Sequence, residues 1–174
     1  MVVVDATAGN GHDTLFLAQL VGPKGKVFAF DIQPAALAAT GQRLRQHGLA
    51  DRVELIAAGH EHLDHYVREA IHAVVFNLGY LPGGDKTIIT RPETTLQALQ
   101  RGMELLVPGG LIVLTVYTGH PGGGEEWESL KEFILRLPRE EWDVVQSTFL
   151  NRSPSAPFNV GLQKIGHDSG GGAF

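Results

Sequence analysis

A glycine pair and a following aspartate near the start of the chain have the spacing of a nucleotide-binding loop. The stretch VVVDATAGNG (residues 2–11) leads from three β-branched valines into a turn of small residues. Gly9 and Gly11 allow backbone angles and a close ligand approach that a Cβ would prevent. Asp31 lies twenty residues after Gly11, where a carboxylate can accept hydrogen bonds from both hydroxyls of a ribose. The pattern therefore predicts a ligand that contains adenosine.

The residues around the glycines distinguish among adenosine ligands. The dinucleotide pattern requires a third glycine, and Thr14 occupies its position. The sequence contains no Gly-Lys-Ser/Thr of a Walker loop. Asp5 is unfavourable for a pyrophosphate but suits the sulfonium and ammonium groups of S-adenosylmethionine, so the motif resembles that of class I S-adenosylmethionine-dependent methyltransferases. The residues predicted to bind this cofactor are Asp5, Thr7, Gly9, Asn10, Gly11, Asp31, Ile32, His60, Glu61 and Asn77.

Two polar residues follow the third apolar run. This run ends at Ala58-Gly59-His60-Glu61, the place where this fold puts a polar residue against the adenine amino group. His60 or Glu61 could make that contact. The alternative is that one of them caps the following helix, and the sequence leaves both interpretations open.

A second candidate motif follows the fourth apolar run, at Asn77-Leu78-Gly79-Tyr80. It resembles the Asn/Asp-Pro-Pro-Tyr element of amino-group methyltransferases. The Asn77 oxygen can accept the hydrogens of an amine and direct its lone pair, while Tyr80 can stack on a planar base. Leu78 and Gly79 replace the prolines, so the acceptor need not be a ring amine. The alternative is a strand-end turn with a buried tyrosine.

Alternating strands and helices must position these residues. Hydrophobic runs alternate with stretches of helical periodicity, which indicates a parallel sheet covered on both faces. The last two strands have no helix between them, so an antiparallel hairpin is predicted at one edge. Strands are predicted at 2–6, 26–31, 52–57, 73–77, 111–117, 142–150 and 158–165, and helices at 12–21, 34–47, 61–68, 91–106 and 125–137.

The fold class predicted is therefore α/β and Rossmann-like, with a seven-stranded, mostly parallel sheet. Residues 1–165 are expected to form one domain, and the glycine-rich residues 166–174 a flexible tail. The chain of 174 residues is 43% hydrophobic, which suits a single core. Its net charge of −5 argues against a nonspecific nucleic-acid coat protein. With no cysteine, a thiolate nucleophile and disulfides are excluded, and no metal site is predicted.

Four stretches together identify a family. They are DATAGNGHDTLFLA, FNLGYLPGGDK, VYTGHPGG and PFNVGLQK, and with them the chain resembles, from residue 2 to about 165, the "Putative rRNA methylase" family of bacteria and plastids. The resemblance implies methylation of the aminomethyl nitrogen of 5-aminomethyl-2-thiouridine at the tRNA wobble position. Family members usually have a helix before the first strand, and here Met1 directly precedes that strand. The chain is therefore expected to be a shortened member or a piece of a longer one.

The resemblance also implies roles for individual residues. Asn77 and Tyr80 would orient the substrate amine. The amine must lose a proton before it attacks, and His12 and His120 are the candidate acceptors, because histidine titrates near neutral pH. Phosphate and base contacts to tRNA would come from a local rim, whose predicted members are Tyr80, Lys86, Arg91, Tyr117, Arg152 and Asn159, with Lys164 nearby.

Three functional interpretations remain open at this stage. The first is the wobble-uridine methyltransferase, and the second is a class I methyltransferase that acts on rRNA or a small molecule. The third is an NAD-type oxidoreductase or a catalytically silent cofactor-binding module. The sequence predicts a cytoplasmic protein, or a stromal one if the source is a plant, without membrane contact. It leaves open whether the protein is a monomer or a homodimer.

Overall fold

Seven strands form one sheet that runs through the whole molecule. The computed structural model describes residues 1–81, 83, 89–153 and 155–166. Within these ranges the sheet has the order β3-β2-β1-β4-β5-β7-β6. Its strands are β1 (Val2–Asp5), β2 (Lys26–Phe30), β3 (Val53–Ile56), β4 (Ile71–Asn77), β5 (Leu106–Val116), β6 (Trp142–Ser147) and β7 (Phe158–Lys164).

Strand direction confirms the predicted sheet. Strands β1 to β5 pair in parallel, whereas β7 pairs antiparallel with both β5 and β6. From β1 the chain winds outward to β2 and β3, and it then returns to the other side of β1 as β4. The topological switch point therefore lies between β1 and β4, where open α/β sheets bind their ligands.

Helices cover the sheet on both faces. Helices α1 (His12–Leu20) and α2 (Pro34–Gln46) pack on one face, and α3 (Leu63–Tyr66), α4 (Pro92–Leu105) and α5 (Gly123–Ile134) pack on the other. Because side chains alternate along a strand, neighbouring valines of β1 enter different cores. Val3 belongs to the core under α1 and α2, and Val4 to the larger core under α4 and α5.

The largest deviation from the predicted boundaries is in β5. Pro108-Gly109-Gly110 was expected to separate a helix from a strand that begins at Leu111. The strand instead begins at Leu106 and includes this segment as an irregularity, since Ile71 pairs with Leu106 and Ala73 with Leu111. Gly109 has a φ of 78°, a conformation that favours glycine. An irregular segment thus turns a helix end directly into a strand.

The remaining predictions concern a short helix, membrane contact and the tail. The helix predicted at 61–68 is a 3₁₀ turn over His60–His62 followed by the single helical turn α3. No helix within the described ranges is long and apolar enough to cross a membrane. Most of the predicted flexible tail, residues 167–174, lies outside the described residues.

Candidate active site

A cavity of about 750 Å³ opens at the carboxyl ends of the strands, at the switch point. This size is ordinary for a ligand pocket, roughly 300–1,000 Å³. It brings together residues from all parts of the sequence-based prediction. Those that line it are Thr7, Gly9, Asn10, His12, Asp31, Ile32, His60, Glu61, Asn77, Tyr80, Arg91, Tyr117 and His120.

The two loop glycines have different roles. Gly9 lines the cavity with a φ of 52°, consistent with a close ligand approach. Gly11 is buried behind the wall, and a Cβ there would lie 2.8 Å from the Cα of Thr40 in α2. Thr40 also donates a hydrogen bond of 3.0 Å to the Gly9 carbonyl. Gly11 therefore permits the loop to pack on α2. The predicted direct contact between Gly11 and the ligand was wrong.

Asp5 is also behind the cavity wall rather than in it. Its carboxylate is fully buried and accepts hydrogen bonds from the Thr7 N–H, at 3.1 Å, and from the Thr14 hydroxyl, at 2.6 Å. Burial raises the pKa of Asp5 to about 6, although these two hydrogen bonds oppose the shift. Asp5 thus fixes the conformation of the loop. The motif predicted a direct charge interaction between Asp5 and the cofactor, but the buried carboxylate can act on a ligand in the cavity only from behind the wall. Thr14, where a dinucleotide fold has glycine, is the residue that anchors it.

Asp31 occupies the predicted place at the end of β2. Its two carboxylate oxygens accept hydrogen bonds from the Gly9 N–H, at 2.9 Å, and from the Gln33 N–H, at 2.8 Å. Each carboxylate oxygen has a second lone pair available to a ligand hydroxyl. Beside it, Ile32 is 58% exposed and gives the cavity an apolar margin.

One ring nitrogen of His60, Nε2, is a buried acceptor without a hydrogen-bond partner among the described residues. Its Nδ1 lies 3.1 Å from the Ala6 carbonyl oxygen, so Nδ1 carries the hydrogen and Nε2 is an acceptor. Burial lowers the pKa of His60, which keeps the ring neutral. The cap of the 3₁₀ turn is Gly59, without a side-chain hydrogen bond, so the structure gives the capping alternative no support.

Asn77 is fixed by two neighbours. Its backbone N–H donates to the Thr7 hydroxyl at 2.7 Å, and its side-chain Nδ2 donates to the Asp13 carboxylate. Because a carboxylate only accepts, this contact sets the amide orientation and leaves Oδ1 as an acceptor. Asp13 lines the cavity, and sequence reasoning missed it. The available signal was its position in the first turn of α1, directly after His12.

The loop after Asn77 is held by a buried carboxylate from α5. The Gly79 N–H donates to the Thr90 hydroxyl at 2.8 Å, and this hydroxyl donates to Glu126 at 2.7 Å. The second oxygen of Glu126 accepts from the Thr95 hydroxyl at 2.6 Å, and the residue is only 1% exposed. No motif of the sequence marked Glu126.

The two candidate histidines differ in their surroundings. The Arg43 guanidinium lies 3.1 Å from His12 Nε2, which must accept the hydrogen bond because arginine only donates. His120 Nδ1 lies 3.0 Å from the Pro121 carbonyl, so its Nε2 is the acceptor. That Nε2 is buried without a partner in the described parts of the chain, and the ring meets Tyr80 edge to face at 5.8 Å. The acceptor nitrogen of His120 is therefore unengaged within the described ranges and packs against Gly79 and Gly123, whereas that of His12 is engaged by Arg43.

The predicted RNA rim is only partly assembled. Arg91, immediately before α4, lines the cavity together with Tyr80 and Tyr117. Arg152 and Asn159 lie outside the cavity lining; Asn159 accepts a 3.0 Å hydrogen bond from the Thr115 hydroxyl. Lys86 lies outside the described residues.

Lys164 is at the opposite edge of the sheet. Its ammonium group binds the carbonyls of Met103, at 3.1 Å, and of Leu106, at 2.9 Å, at the end of α4. Its role is therefore to cap this helix and not to contact a ligand at the cavity. Within the described ranges, no cluster of His, Asp and Glu residues could hold a metal ion.

The strand order, the antiparallel β7 and a cavity at the switch point define a class I methyltransferase fold. The model of the family described as "Putative rRNA methylase" matches residues 27–163, and the chain belongs to this family. A crystal structure of an rRNA-methylase from Clostridium thermocellum is 49% identical, with a TM-score of 0.91, and the match covers 94% of this chain and 88% of that one. A methyltransferase of Streptococcus mutans, in complex with SAH, is 39% identical with a TM-score of 0.86 and the same coverage.

A chloroplastic tRNA (mnm(5)s(2)U34)-methyltransferase of Arabidopsis thaliana is 44% identical over 172 residues. The match covers 93% of this chain and 62% of the relative, so the chain spans less than two thirds of that protein.

Proposed function

We propose that this chain is an S-adenosylmethionine-dependent methyltransferase. Its substrate would be the aminomethyl nitrogen of 5-aminomethyl-2-thiouridine at the wobble position of tRNA. The observation that carries this proposal is the fixed amide of Asn77, whose acceptor oxygen is oriented by Asp13. Asn77 lines one cavity with His120, whose Nε2 has no hydrogen-bond partner among the described residues. The name of the Arabidopsis relative supports the same substrate.

The cavity residues fit S-adenosylmethionine better than a dinucleotide. Asp13 and Asp31 line the cavity and Asp5 lies buried behind it, so a pyrophosphate would meet two carboxylates and lie near a third. A cationic ligand is favoured by the same charges. In this proposal Asp31 would accept hydrogen bonds from the ribose hydroxyls, Gly9 would allow the close backbone approach, and His60 Nε2 would accept one from the adenine amino group. When bound, the cofactor supplies an electrophilic methyl group on its sulfonium.

The residues of the substrate half would then orient and deprotonate the amine. The Asn77 oxygen accepts one amine hydrogen and directs the lone pair toward the methyl group. His120 Nε2 accepts the proton that the amine loses, since its Nδ1–H is already fixed by Pro121. Tyr80, whose ring centre lies 5.8 Å from that of His120, would stack on the uracil ring. Alignment of this kind can supply a large part of a rate enhancement, roughly 7–11 kcal/mol in the best intramolecular cases.

A labelled-methyl transfer assay tests the proposal. Single-turnover reactions would compare tRNA that bears 5-aminomethyl-2-thiouridine with otherwise identical tRNA that lacks the aminomethyl group. We expect label only in the first RNA. In the cell, the substrate would belong to the cytoplasmic or stromal tRNA pool of the source. Equal labelling of both, or labelling of rRNA instead, would contradict the proposed acceptor. Calorimetric titration with S-adenosylmethionine and with NAD serves as the control for the cofactor.

A further inference from the structure

The loop between β6 and β7 exposes an aromatic and an aliphatic side chain beside a cation. Phe149 is 55% exposed and Leu150 is 99% exposed. The guanidinium carbon of Arg152 lies 4.6 Å from the centre of the Phe149 ring, within the range of a cation–π interaction. The pair forms one flat surface that is open to solvent. We call Phe149, Leu150 and Arg152 the hairpin platform.

The hairpin platform is on the same edge of the sheet as the cavity. The first residue of β7, Phe158, pairs with Val116 at the carboxyl end of β5. The loop that precedes β7 therefore lies beside the cavity mouth. Ser155 of this loop also approaches the segment after β5, because its carbonyl oxygen is 3.8 Å from the position of a Cβ on Gly119. The neighbours of Gly119 along this segment, Tyr117 and His120, line the cavity.

The charge of this surface favours RNA over other partners. Residues 148–157 contain Arg152 and no acidic residue, although the whole chain has a net charge of −5. An exposed ring with an adjacent guanidinium is the usual means of binding an unpaired base, which stacks on the ring or on the arginine plane. Arg91 adds a second cation, at the lining of the cavity itself.

We infer that the hairpin platform binds the unpaired nucleotides that flank the methylated residue of the RNA substrate. A neighbouring base stacks on the Phe149–Arg152 pair, and Arg152 contacts a phosphate. The target nucleotide can then enter the cavity past Tyr117 while the rest of the RNA stays outside the cavity. This inference rests on the proposed function, since it names the surface that the same substrate uses.

Fluorescence anisotropy with a labelled anticodon stem-loop RNA tests the platform directly. Phe149→Ala and Arg152→Ala should each weaken binding about tenfold, because base–aromatic stacking contributes roughly 1–3 kcal/mol. Phe149→Tyr should restore wild-type affinity, and Arg152→Lys should restore only the salt-dependent part. The matched controls are Leu135→Ala, with a side chain 75% exposed at the far end of α5, and Arg139→Ala, which is exposed near it.

A second measurement separates the platform from the chemistry. With tRNA as the substrate, both platform variants should raise KM about tenfold and leave kcat unchanged. With the free nucleoside 5-aminomethyl-2-thiouridine, their transfer rates should equal that of the wild type. Unchanged affinity for the stem-loop in Phe149→Ala and Arg152→Ala would overturn the inference.

Two further outcomes are also decisive. Sedimentation that shows a wild-type dimer and a Phe149→Ala monomer would identify the surface as a contact between copies and would overturn the inference. A wild-type protein that binds the stem-loop through Phe149 but transfers no methyl group would contradict the proposed function and still support the platform.

Discussion

The cavity has two halves, a cofactor half around the glycine loop and Asp31 and a substrate half around the loop after β4. They are stabilised in different ways. In the cofactor half, the carboxylates of Asp5 and Asp31 accept backbone N–H groups from residues near the same glycine loop. In the substrate half, side chains from distant elements hold the loop after β4. Asn77 and Asp13 are 64 residues apart, and Thr90 and Glu126 are 36 apart. The two contacts named for the cofactor half thus span 2 and 22 residues, whereas those of the substrate half span 64 and 36.

The largest effect is expected from Gly11→Ala, in the cofactor half. A Cβ there would lie 2.8 Å from a backbone atom of Thr40, and the φ of Gly11 is 77°. Overpacking and a left-handed conformation together cost about 4 kcal/mol in the free energy of unfolding. Because Gly11 lets the cavity-lining loop pack on α2, we expect S-adenosylmethionine binding to be lost as well. Gly22→Ala is the matched control, since Gly22 has a φ of 73° and open space around it. Calorimetry should show binding lost in the first variant and retained in the second; equal losses would mean that backbone strain alone matters.

The pH dependence of stability tests the buried carboxylate of the same half. Asp5 has a pKa of about 6 in the folded chain against an ordinary value of 3.8. The folded state thus binds the proton more tightly, and its stability falls as pH rises from about 4 to 6, by about 3 kcal/mol in all. Urea unfolding of the wild type and of Asp5→Asn, measured from pH 4 to 8, should give a difference that changes by this amount and is constant above the upper pKa. A pH-independent difference would show that Asp5 titrates normally.

Asn77→Ala should separate the two halves most clearly. The sequence pattern also placed Asn77 among the cofactor-binding residues, but its side-chain amide is bound to Asp13. The variant therefore loses the acceptor that orients the amine and keeps Gly9, Asp31 and His60. We expect the single-turnover methyl transfer rate to fall about a hundredfold, or about 2.7 kcal/mol, with S-adenosylmethionine affinity unchanged. A variant with a normal rate would remove Asn77 from the mechanism, and one with weakened cofactor binding would place it in the other half.

Asp31→Ala is the counterpart on the cofactor side. Loss of the charge-assisted hydrogen bonds to the ribose should weaken S-adenosylmethionine binding by about 1.5–3 kcal/mol. The transfer rate at saturating cofactor should stay near that of the wild type, because Asn77 and His120 are unaffected. Exposed Asp51 gives a control variant, Asp51→Ala, that should change neither quantity. Unchanged affinity in folded Asp31→Ala would contradict the ribose assignment.

The smallest effect is expected from Thr90→Val, which removes the hydroxyl between Gly79 and Glu126 at nearly constant volume. Loss of this buried link should cost about 1–1.5 kcal/mol, seen as a transfer rate about tenfold lower. Thr115→Val is the control, because Thr115 lies outside the cavity lining and its hydroxyl donates to the Asn159 side chain on β7. If both variants retain the wild-type rate, the Glu126 network stabilises the fold without positioning the loop.

The fold and the cofactor half were largely predictable from the sequence. Periodicity located all seven strands, and the order of loop, strand and Asp31 follows from local chain geometry. The substrate half was predictable only where a motif is continuous, as at Asn77 and Tyr80. Glu126 has no local signature, and Asp13 has only its position in the first turn of α1. The partners of both residues come from elements that meet only in three dimensions. Asp5 and Gly11 were assigned to the right loop, but their burial, which depends on α1 and α2, could not be seen in the pattern.

The position of β7 has a consequence for how the chain folds during synthesis. Strand β7 is last in the sequence, yet it lies between β5 and β6 in the sheet. Until residues 158–164 have left the ribosome, β6 has no partner and one side of β5 is an open edge with unpaired N–H and C=O groups. Pairing of β7 closes both ladders in one step. The interval before that step is the time when the nascent chain is most exposed to edge-to-edge association and most dependent on chaperones.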